Sequence, residues 1–144
     1  MTEYNLSGDL IASRLMFHAG LAMIRFPARE VTSRMMLRKQ EVSEKVAPLG
    51  GIGKFLSDIF MEYVDRKGKD KKEIWDMATV AVFENPGLGK WKILPMPELS
   101  QEPQWVWESG GNQGVRPEHC VVTDIDSDAI FSSLFERMRR VYHV

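Results

Sequence analysis

The sequence has few of the residues that build covalently linked or metal-linked cores. It contains one cysteine, Cys120, so no intrachain disulfide can form, and a structural zinc site that uses several thiolates is excluded. Cys120 is followed by Val121 and Val122, and this apolar run predicts a buried strand in which the thiol packs as a small core residue. A reactive thiol is the alternative. The fold must therefore depend on an ordinary hydrophobic core.

An excess of charge of one sign is also missing. The chain has 19 Lys and Arg residues against 20 Asp and Glu residues, and this balance argues against a nucleic-acid partner. The most basic stretch, residues 65–73, mixes both signs and predicts a solvated loop rather than a binding patch. No apolar run is long enough to span a bilayer, and no signal-peptide pattern is visible. We therefore expect a cytoplasmic protein that binds neither nucleic acid nor membrane.

The apolar residues recur at helical spacing in four segments of the chain. A length of 144 residues fits one domain, and no linker or internal repeat divides residues 1–144. Asp9 is expected to cap the first helix, and Asp126 or Ser127 the last. The predicted inward faces are Ile11, Ala12, Leu15, Met16 and Ala19, then Ile52, Phe55, Leu56, Ile59, Phe60, Tyr63 and Val64, then Ile74, Met77, Ala78, Ala81 and Val82, and finally Ile130, Phe131, Leu134, Phe135, Met138 and Val141.

Between the helical segments, four shorter runs predict strands. They cover residues 21–26, 90–94, 105–108 and 119–123. The first of them follows a helix that ends at Gly20, and helix, glycine and buried strand form the second half of a βαβ unit. This order of elements predicts an α/β fold.

Asp76 is the most informative polar residue. It interrupts the apolar run at residues 74–83, and a carboxylate there is costly to bury unless it is paired, capping or bound to a metal. A capping acid at the positive end of the helix dipole is the alternative to a ligand. Glu3 and Asn5 precede the first helix. On an extended segment, side chains two residues apart point to the same side, and both of these can bond hydroxyl groups.

Taken in order, these segments resemble the C-terminal half of the inosine–uridine nucleoside hydrolase family. Glu3-Tyr4-Asn5 resembles its Glu-Phe-Asn segment, and a helix, a strand and Val31-Thr32 follow in the family order. Ile74-Trp75-Asp76 stands where the family carries a His-Asp pair, and residues 121–126 with the last helix also match. The resemblance implies a layered, Rossmann-like α/β fold in which a few strands are packed by helices, and of which the chain has the C-terminal half only. Residues 1–144 would then form a single partial domain.

The resemblance also implies a reaction and a set of roles. These enzymes hydrolyse the N-glycosidic bond of purine or pyrimidine ribonucleosides with a bound calcium ion, which holds ribose hydroxyls and lowers the pKa of a water. By position, Asp76 is a calcium ligand, and Glu3 and Asn5 bond ribose hydroxyls. Trp75 replaces the family's histidine and could stack on the base or sugar, but an indole cannot donate a catalytic proton at neutral pH.

The sequence departs from the family pattern in ways that bear on activity. The N-terminal Asp-x-Asp-x-x-x-Asp-Asp motif, which supplies most calcium ligands in the family, is absent. Asp124, Asp126 and Asp128 lie in a different context and lack the glycine and glutamate of a calcium loop. We therefore assign no catalytic residue and expect the chain alone to be inactive, with weak or no calcium affinity. The alternatives are a non-catalytic binding or assembly module, such as a homo-oligomer, and half of a hydrolase that an N-terminal half completes in trans.

Overall fold

The computed structural model describes residues 4–27, 29–99, 105–106 and 118–142. The chain divides into two compact units, which are described separately below. Unit 1 consists of Met1–Phe26 and Trp91–Val122, and unit 2 of Pro27–Lys90 and Thr123–Val144. Within the described residues, no helix is both long and apolar enough to cross a membrane.

Unit 1 is built on two short helices and a small parallel pairing of strands. Its elements are α1 (Tyr4–Gly8), α2 (Leu10–His18), β1 (Ile24–Arg25), parts of β4 (Gly89–Pro95) and β7 (Glu118–Ile125), and the antiparallel pair β5 (Glu98–Leu99) and β6 (Trp105–Val106). The strand order in the larger sheet is β1-β7-β4. Strands β1 and β7 run parallel, with Ile24 opposite Cys120 and Arg25 opposite Val121. The predicted strand at residues 21–26 is therefore shorter than expected, and Ile24 is exposed rather than buried.

Helix α2 begins and ends where the sequence predicts but faces the other way. The Asp9 carboxylate accepts a hydrogen bond from the backbone N–H of Ala12 at 2.9 Å, and this is the expected cap. The buried residues, however, are Ser13 and Phe17, and the predicted face of Ile11, Leu15 and Met16 is exposed. The Ser13 hydroxyl donates to the Leu6 carbonyl oxygen of α1 at 3.1 Å, so contact with α1 fixes which side of α2 is covered.

Unit 2 contains most of the apolar core. Its helices are α3 (Lys39–Lys45), α4 (Gly50–Arg66), α5 (Asp76–Glu84) and α6 (Ser127–Tyr142), and β2 (Met36–Arg38) pairs antiparallel with β3 (Lys71–Glu73). Three short 3-10 turns connect them: Thr32–Arg34, Ala47–Leu49 and Pro86–Leu88. The buried apolar residues of this unit are Val31, Met35, Leu37, Val42, Val46, Leu49, Phe60, Val64, Ala78, Val82, Ile125, Ile130, Phe131 and Phe135.

Helix α4 packs through a face that includes its smallest residues. Phe60 and Val64 are buried as predicted, but they share the buried face with Gly53 and Ser57. A Cβ atom at Gly53 would lie 2.2 Å from the Val46 carbonyl oxygen and 2.7 Å from the Leu49 Cβ, so only glycine permits this approach. Of the other predicted core residues of α4, Tyr63 is half-buried. The remaining four, Ile52, Phe55, Leu56 and Ile59, form an exposed row that we call the α4 stripe. Their predicted burial is wrong.

The last helix follows the sequence prediction more closely. The backbone N–H of Ala129 donates to the Asp126 carboxylate at 2.9 Å, which identifies Asp126 as the cap. Ile130, Phe131 and Phe135 are buried as expected. Val141, in the final turn, is 66% exposed, so the predicted apolar face is covered along only part of the helix.

Candidate functional site

Asp76 is the first residue of α5, and its side chain is exposed. The buried residues of this helix are Ala78 and Val82. Successive residues of an α-helix are turned by about 100°, so Asp76 lies about 200° around the axis from Ala78 and faces away from the core. The expectation that Asp76 is a buried acid is therefore wrong, although the predicted inward face of α5 is confirmed at Ala78 and Val82.

At the start of α5, the backbone of Asp76 rather than its carboxylate takes part in hydrogen bonding. The Thr79 hydroxyl donates to the backbone carbonyl of Asp76 at 2.8 Å rather than to its side chain. Among the described residues, no ion pair or side-chain hydrogen bond joins the Asp76 carboxylate to another group. The positive end of the α5 dipole favours a negative charge at this position. The exposed carboxylate of Asp76 is thus accessible to a ligand.

Trp75 lies directly beside Asp76, at the N-cap of α5. Its side chain is 54% exposed, and its backbone carbonyl accepts a hydrogen bond from Ala78 N–H at 3.2 Å. The structure therefore brings two of the predicted site residues together on one exposed helix end. A half-exposed indole can stack on a flat ligand, and its N–H can donate a hydrogen bond but cannot act as a general acid.

The other predicted site residues belong to the N-terminal part of unit 1. Asn5 is exposed and lies in α1, which spans Tyr4–Gly8, so the expectation of an extended segment is wrong for these residues. Glu3 lies outside the described residues. Asn5 belongs to unit 1, whereas Trp75 and Asp76 belong to unit 2.

The described residues do not by themselves fit a calcium ion. Calcium takes six to eight oxygen ligands, mostly from carboxylates and carbonyls. Within the part of the chain that the structure describes, no group of three or more His, Cys, Asp or Glu side chains could hold a metal ion. Asp76 offers one carboxylate, and further ligands would have to come from elsewhere.

The acid-rich stretch at the end of β7 has structural partners instead. The Asp124 carboxylate accepts hydrogen bonds from Arg34, from Lys90 Nζ at 2.9 Å and from the backbone N–H of Ile125 at 3.0 Å. The hydrogen bond from Lys90 and the positive charge of Arg34 hold the pKa of Asp124 below its ordinary value. Since Asp126 caps α6, two of the three closely spaced acids are engaged in holding unit 2 together.

His119 is a buried polar residue that is not among the site residues predicted from the sequence. It lies on β7 in unit 1 with 3% of its surface exposed, and its Nδ1 is 2.9 Å from the Leu94 carbonyl oxygen. Burial lowers the pKa of His119, and the positive charge of Arg25 lowers it further. Its Nε2 has no hydrogen-bond partner among the described residues. Alternation along β7 places His119 on the same side as buried Val121, and this pattern could have revealed its burial.

Comparisons with known proteins identify the fold. No protein-family profile and no curated protein sequence matches the chain. A plant nucleoside hydrolase, the PpNRh1 enzyme, matches 94% of this chain with a TM-score of 0.76 and 18% identity. A purine-preferring ribonucleoside hydrolase from Gardnerella vaginalis matches 98% of it with a TM-score of 0.74 and 21% identity. The chain has the fold of the C-terminal half of a nucleoside hydrolase.

The extent of the match limits what it establishes. The aligned region covers 47% of the plant enzyme and 47% of the bacterial enzyme, so the chain spans about half the length of these structures. The predicted half-domain α/β fold is confirmed. Activity, substrate and partners belong to whole enzymes and are treated below as proposals.

Proposed function

We propose that this chain forms one side of a nucleoside N-ribohydrolase-like site, whose remaining residues lie outside these 144 residues. The observation that carries the proposal is the match of nearly the whole chain to half of two ribonucleoside hydrolases. The substrate class is a purine or pyrimidine ribonucleoside, and the bond to be cleaved is its N-glycosidic bond.

The exposed start of α5 supports the roles assigned to Trp75 and Asp76. A residue that helps to complete a site with another polypeptide segment must be accessible from outside its own unit, and both side chains are exposed. When bound, calcium would supply charge to hold ribose hydroxyls and lower the pKa of a water. In this proposal Asp76 would contribute a carboxylate and Trp75 a flat surface for the base or sugar. The role of Asn5, as an amide that bonds a ribose hydroxyl, rests on the resemblance alone.

The chain alone is expected to be inactive for two separate reasons. One exposed carboxylate cannot hold calcium tightly, because the ion needs several oxygen ligands in one place. In addition, Trp75 cannot protonate a leaving base as a histidine could. We therefore infer that an active form needs carboxylates from another segment and a different means of stabilising the leaving group.

A calorimetric calcium titration and a reducing-sugar assay test this proposal. The 144-residue chain is mixed with inosine or uridine in calcium, and the Gardnerella vaginalis enzyme serves as the positive control. We expect no turnover and no calcium binding at micromolar concentrations. Robust ribose release by the isolated chain would contradict the proposed dependence on another segment.

A non-catalytic assembly module is the second candidate, and the α4 stripe favours it. Four exposed apolar residues at helical spacing form a surface of the kind that a second protein covers. We propose a second copy of the chain as the partner at this stripe. Size-exclusion chromatography with light scattering tests the idea, and a stable monomer at high concentration counts against it. A cytoplasmic location and the lack of nucleic-acid or membrane partners remain predictions.

A further inference from the structure

The most basic stretch of the sequence, residues 65–73, lies beside a second basic segment in unit 2. It contains the end of α4, a turn at Gly68 with a φ of 62°, and β3, so it is only partly the loop that the sequence predicts. The pairing of β2 with β3 brings residues 38 and 39 alongside it. We call residues 38–39 and 65–73 the basic edge. It holds seven basic and three acidic side chains, although the whole chain has a net charge of −1.

Four of the seven basic side chains have a structural partner or a favourable position. Lys39 forms an ion pair with Asp65. Lys72 Nζ lies 4.8 Å from the centroid of the Tyr63 ring, which attracts a cation. Residues 66 and 67 stand at the C-terminal end of α4, where the helix dipole favours positive charge. These four side chains therefore help to hold unit 2 together.

The other three, Arg38, Lys69 and Lys71, have no such role. All three are exposed, and among the described residues no ion pair joins any of them to an acid. Arg38 lies directly opposite Lys71 on the paired strands. The backbone N–H of Lys39 donates to the Asp70 carbonyl oxygen at 2.9 Å, so the next pair along is a non-hydrogen-bonded one, in which side chains are closest. Like charges that face each other there are destabilising, and an anionic group beside them would relieve the repulsion.

The backbone of β3 can also bind a partner. Because Arg38 and Lys71 form a non-hydrogen-bonded pair, the N–H and C=O groups of Lys71 point away from β2, and those of Glu73 do likewise. Within the part of the chain that the structure describes, β2 and β3 form a two-stranded sheet, so no third strand pairs with this outer edge of β3. Charged side chains on an edge discourage pairing with a neutral strand, and the same charges favour a strand that carries acids.

We propose that the outer edge of β3 binds an extended acidic segment of a partner protein. The segment adds a strand beside β3, and its carboxylates lie against Lys69, Lys71 and Arg38. Acids at alternate positions share one face of such a strand, so a segment with Glu or Asp at every second residue fits. Glu73 lies opposite Met36 at the far end of β3 and is half-buried, so the acids of the partner lie toward the Lys69 end.

The same observations favour an acidic polypeptide over other anions. The outward N–H and C=O groups of β3 need both acceptors and donors, and a chain of phosphates offers acceptors only. Proteins that bind single-stranded nucleic acids stack bases on aromatic side chains, but Lys72 covers one face of the Tyr63 ring at this edge. A second copy of the chain would bring the same positive charges to the same edge and would be repelled.

Fluorescence anisotropy tests the binding of such a segment. The probe is a short labelled peptide of alternating glutamate and threonine, titrated with the 144-residue chain. Charge reversal replaces attraction by repulsion, so we expect Lys71→Glu to bind the peptide roughly fivefold more weakly than the wild type, and Lys69→Glu likewise. Binding should also weaken as salt is raised. Arg139→Glu is the matched control and should bind as the wild type does, because Arg139 is an exposed basic residue of α6 with no ion pair among the described residues.

A second peptide tests the contribution of the backbone. It has the same sequence but is N-methylated at its glutamates, so it keeps its carboxylates and loses the N–H groups that would donate to β3. We expect this peptide to bind the wild-type chain roughly tenfold more weakly than the unmodified one, because several hydrogen bonds are lost. A purely electrostatic contact would not distinguish the two peptides.

The outcomes decide between this partner and the others. Circular dichroism first checks that the variants keep the wild-type helix content, and Lys71→Gln repeats the test with a milder change. No binding by the wild type, or equal binding by wild type and Lys71→Glu, overturns the proposal, and so does equal binding of the two peptides. Tighter binding of single-stranded RNA or of phosphatidylserine vesicles than of the peptide assigns the basic edge to another class of partner and also overturns it. None of these measurements involves a nucleoside, so their outcome is independent of the ribohydrolase proposal.

Discussion

Gly53 offers the sharpest test of how the core of unit 2 is assembled. The backbone of α4 passes so close to the preceding turn that a Cβ at this position would lie 2.2 Å from the Val46 carbonyl oxygen and 2.7 Å from the Leu49 Cβ. Both obstacles are held by the 3-10 turn at Ala47–Leu49, and a backbone oxygen cannot rotate away as a long side chain can. A Gly53→Ala change must therefore displace the helix from the turn.

The expected loss follows from two opposing effects. Overpacking a well-packed site costs roughly 1–3 kcal/mol, and a rigid backbone obstacle suggests the upper end. Alanine is about 1 kcal/mol better than glycine within a helix, and this gain offsets part of the cost. The net loss in the free energy of unfolding is therefore about 2 kcal/mol, which corresponds to a fall in Tm of roughly 4–8 °C for a domain of this size.

Gly51→Ala is the matched control for this prediction. Gly51 lies in the first turn of the same helix, and a Cβ there would meet nothing within 4 Å. We expect the control to keep or slightly raise stability, by up to about 0.5 kcal/mol. Urea unfolding followed by circular dichroism measures both variants. A Gly53→Ala protein as stable as Gly51→Ala would refute the close approach of α4 to Val46.

Three further predictions concern individual side chains. Burial lowers the folded-state pKa of His119, so the unfolded chain binds more protons than the folded chain below about pH 6.5. The free energy of unfolding should therefore be highest above that pH and fall as the pH drops further. His119→Asn should remove this pH dependence, which urea titrations at a series of pH values measure. Asp124→Asn should lower the Tm at pH 7, because the Asp124 carboxylate, whose pKa is depressed in the folded state, stabilises the fold while it is ionised. The difference in Tm between the wild type and this variant should narrow in acid, where Asp124 itself becomes protonated. Asp76→Asn should change the free energy of unfolding by no more than about 0.5 kcal/mol in urea, since the carboxylate is exposed, and a larger loss would point to a structural partner.

The parts of the fold that the sequence predicts well are those set by neighbouring residues. Asp9 and Asp126 each cap a helix three residues before the N–H that they bind, and such contacts depend on local spacing alone. The positive φ of 66° at Gly20 likewise agrees with a helix that stops there. The resemblance to nucleoside hydrolases added the overall half-domain fold, because it relies on the order of short segments rather than on any one of them.

The faces of the helices depend on contacts that are distant in sequence, and there the predictions fail. Helix α4 is apolar on more than one side, so its periodicity alone favours the bulky Ile52 and Phe55. The structure covers the side of Gly53 and Ser57, because a small residue lets the helix approach the Val46 carbonyl closely. The hydrophobic pattern reports where apolar residues lie but not which of them meets a neighbour.

The same reasoning explains what was missed at the candidate site. The long apolar run at residues 74–83 predicts a buried helix, and Asp76 within it then indicates an acid that needs a partner. The structure buries only the side of Ala78 and Val82, so Asp76 faces outward with Val80 and Phe83. The start of the helix could be predicted from the sequence, whereas its orientation could not.

The charges around the α4 stripe decide which partner it favours. The α4 stripe contains only uncharged side chains, and nearby Lys54 and Asp58 already pair with each other at 2.6 Å, so an identical surface can cover it without burying a lone charge. The assembly role proposed for the α4 stripe therefore does not compete with the role proposed for Asp76, since the two lie on different helices of unit 2.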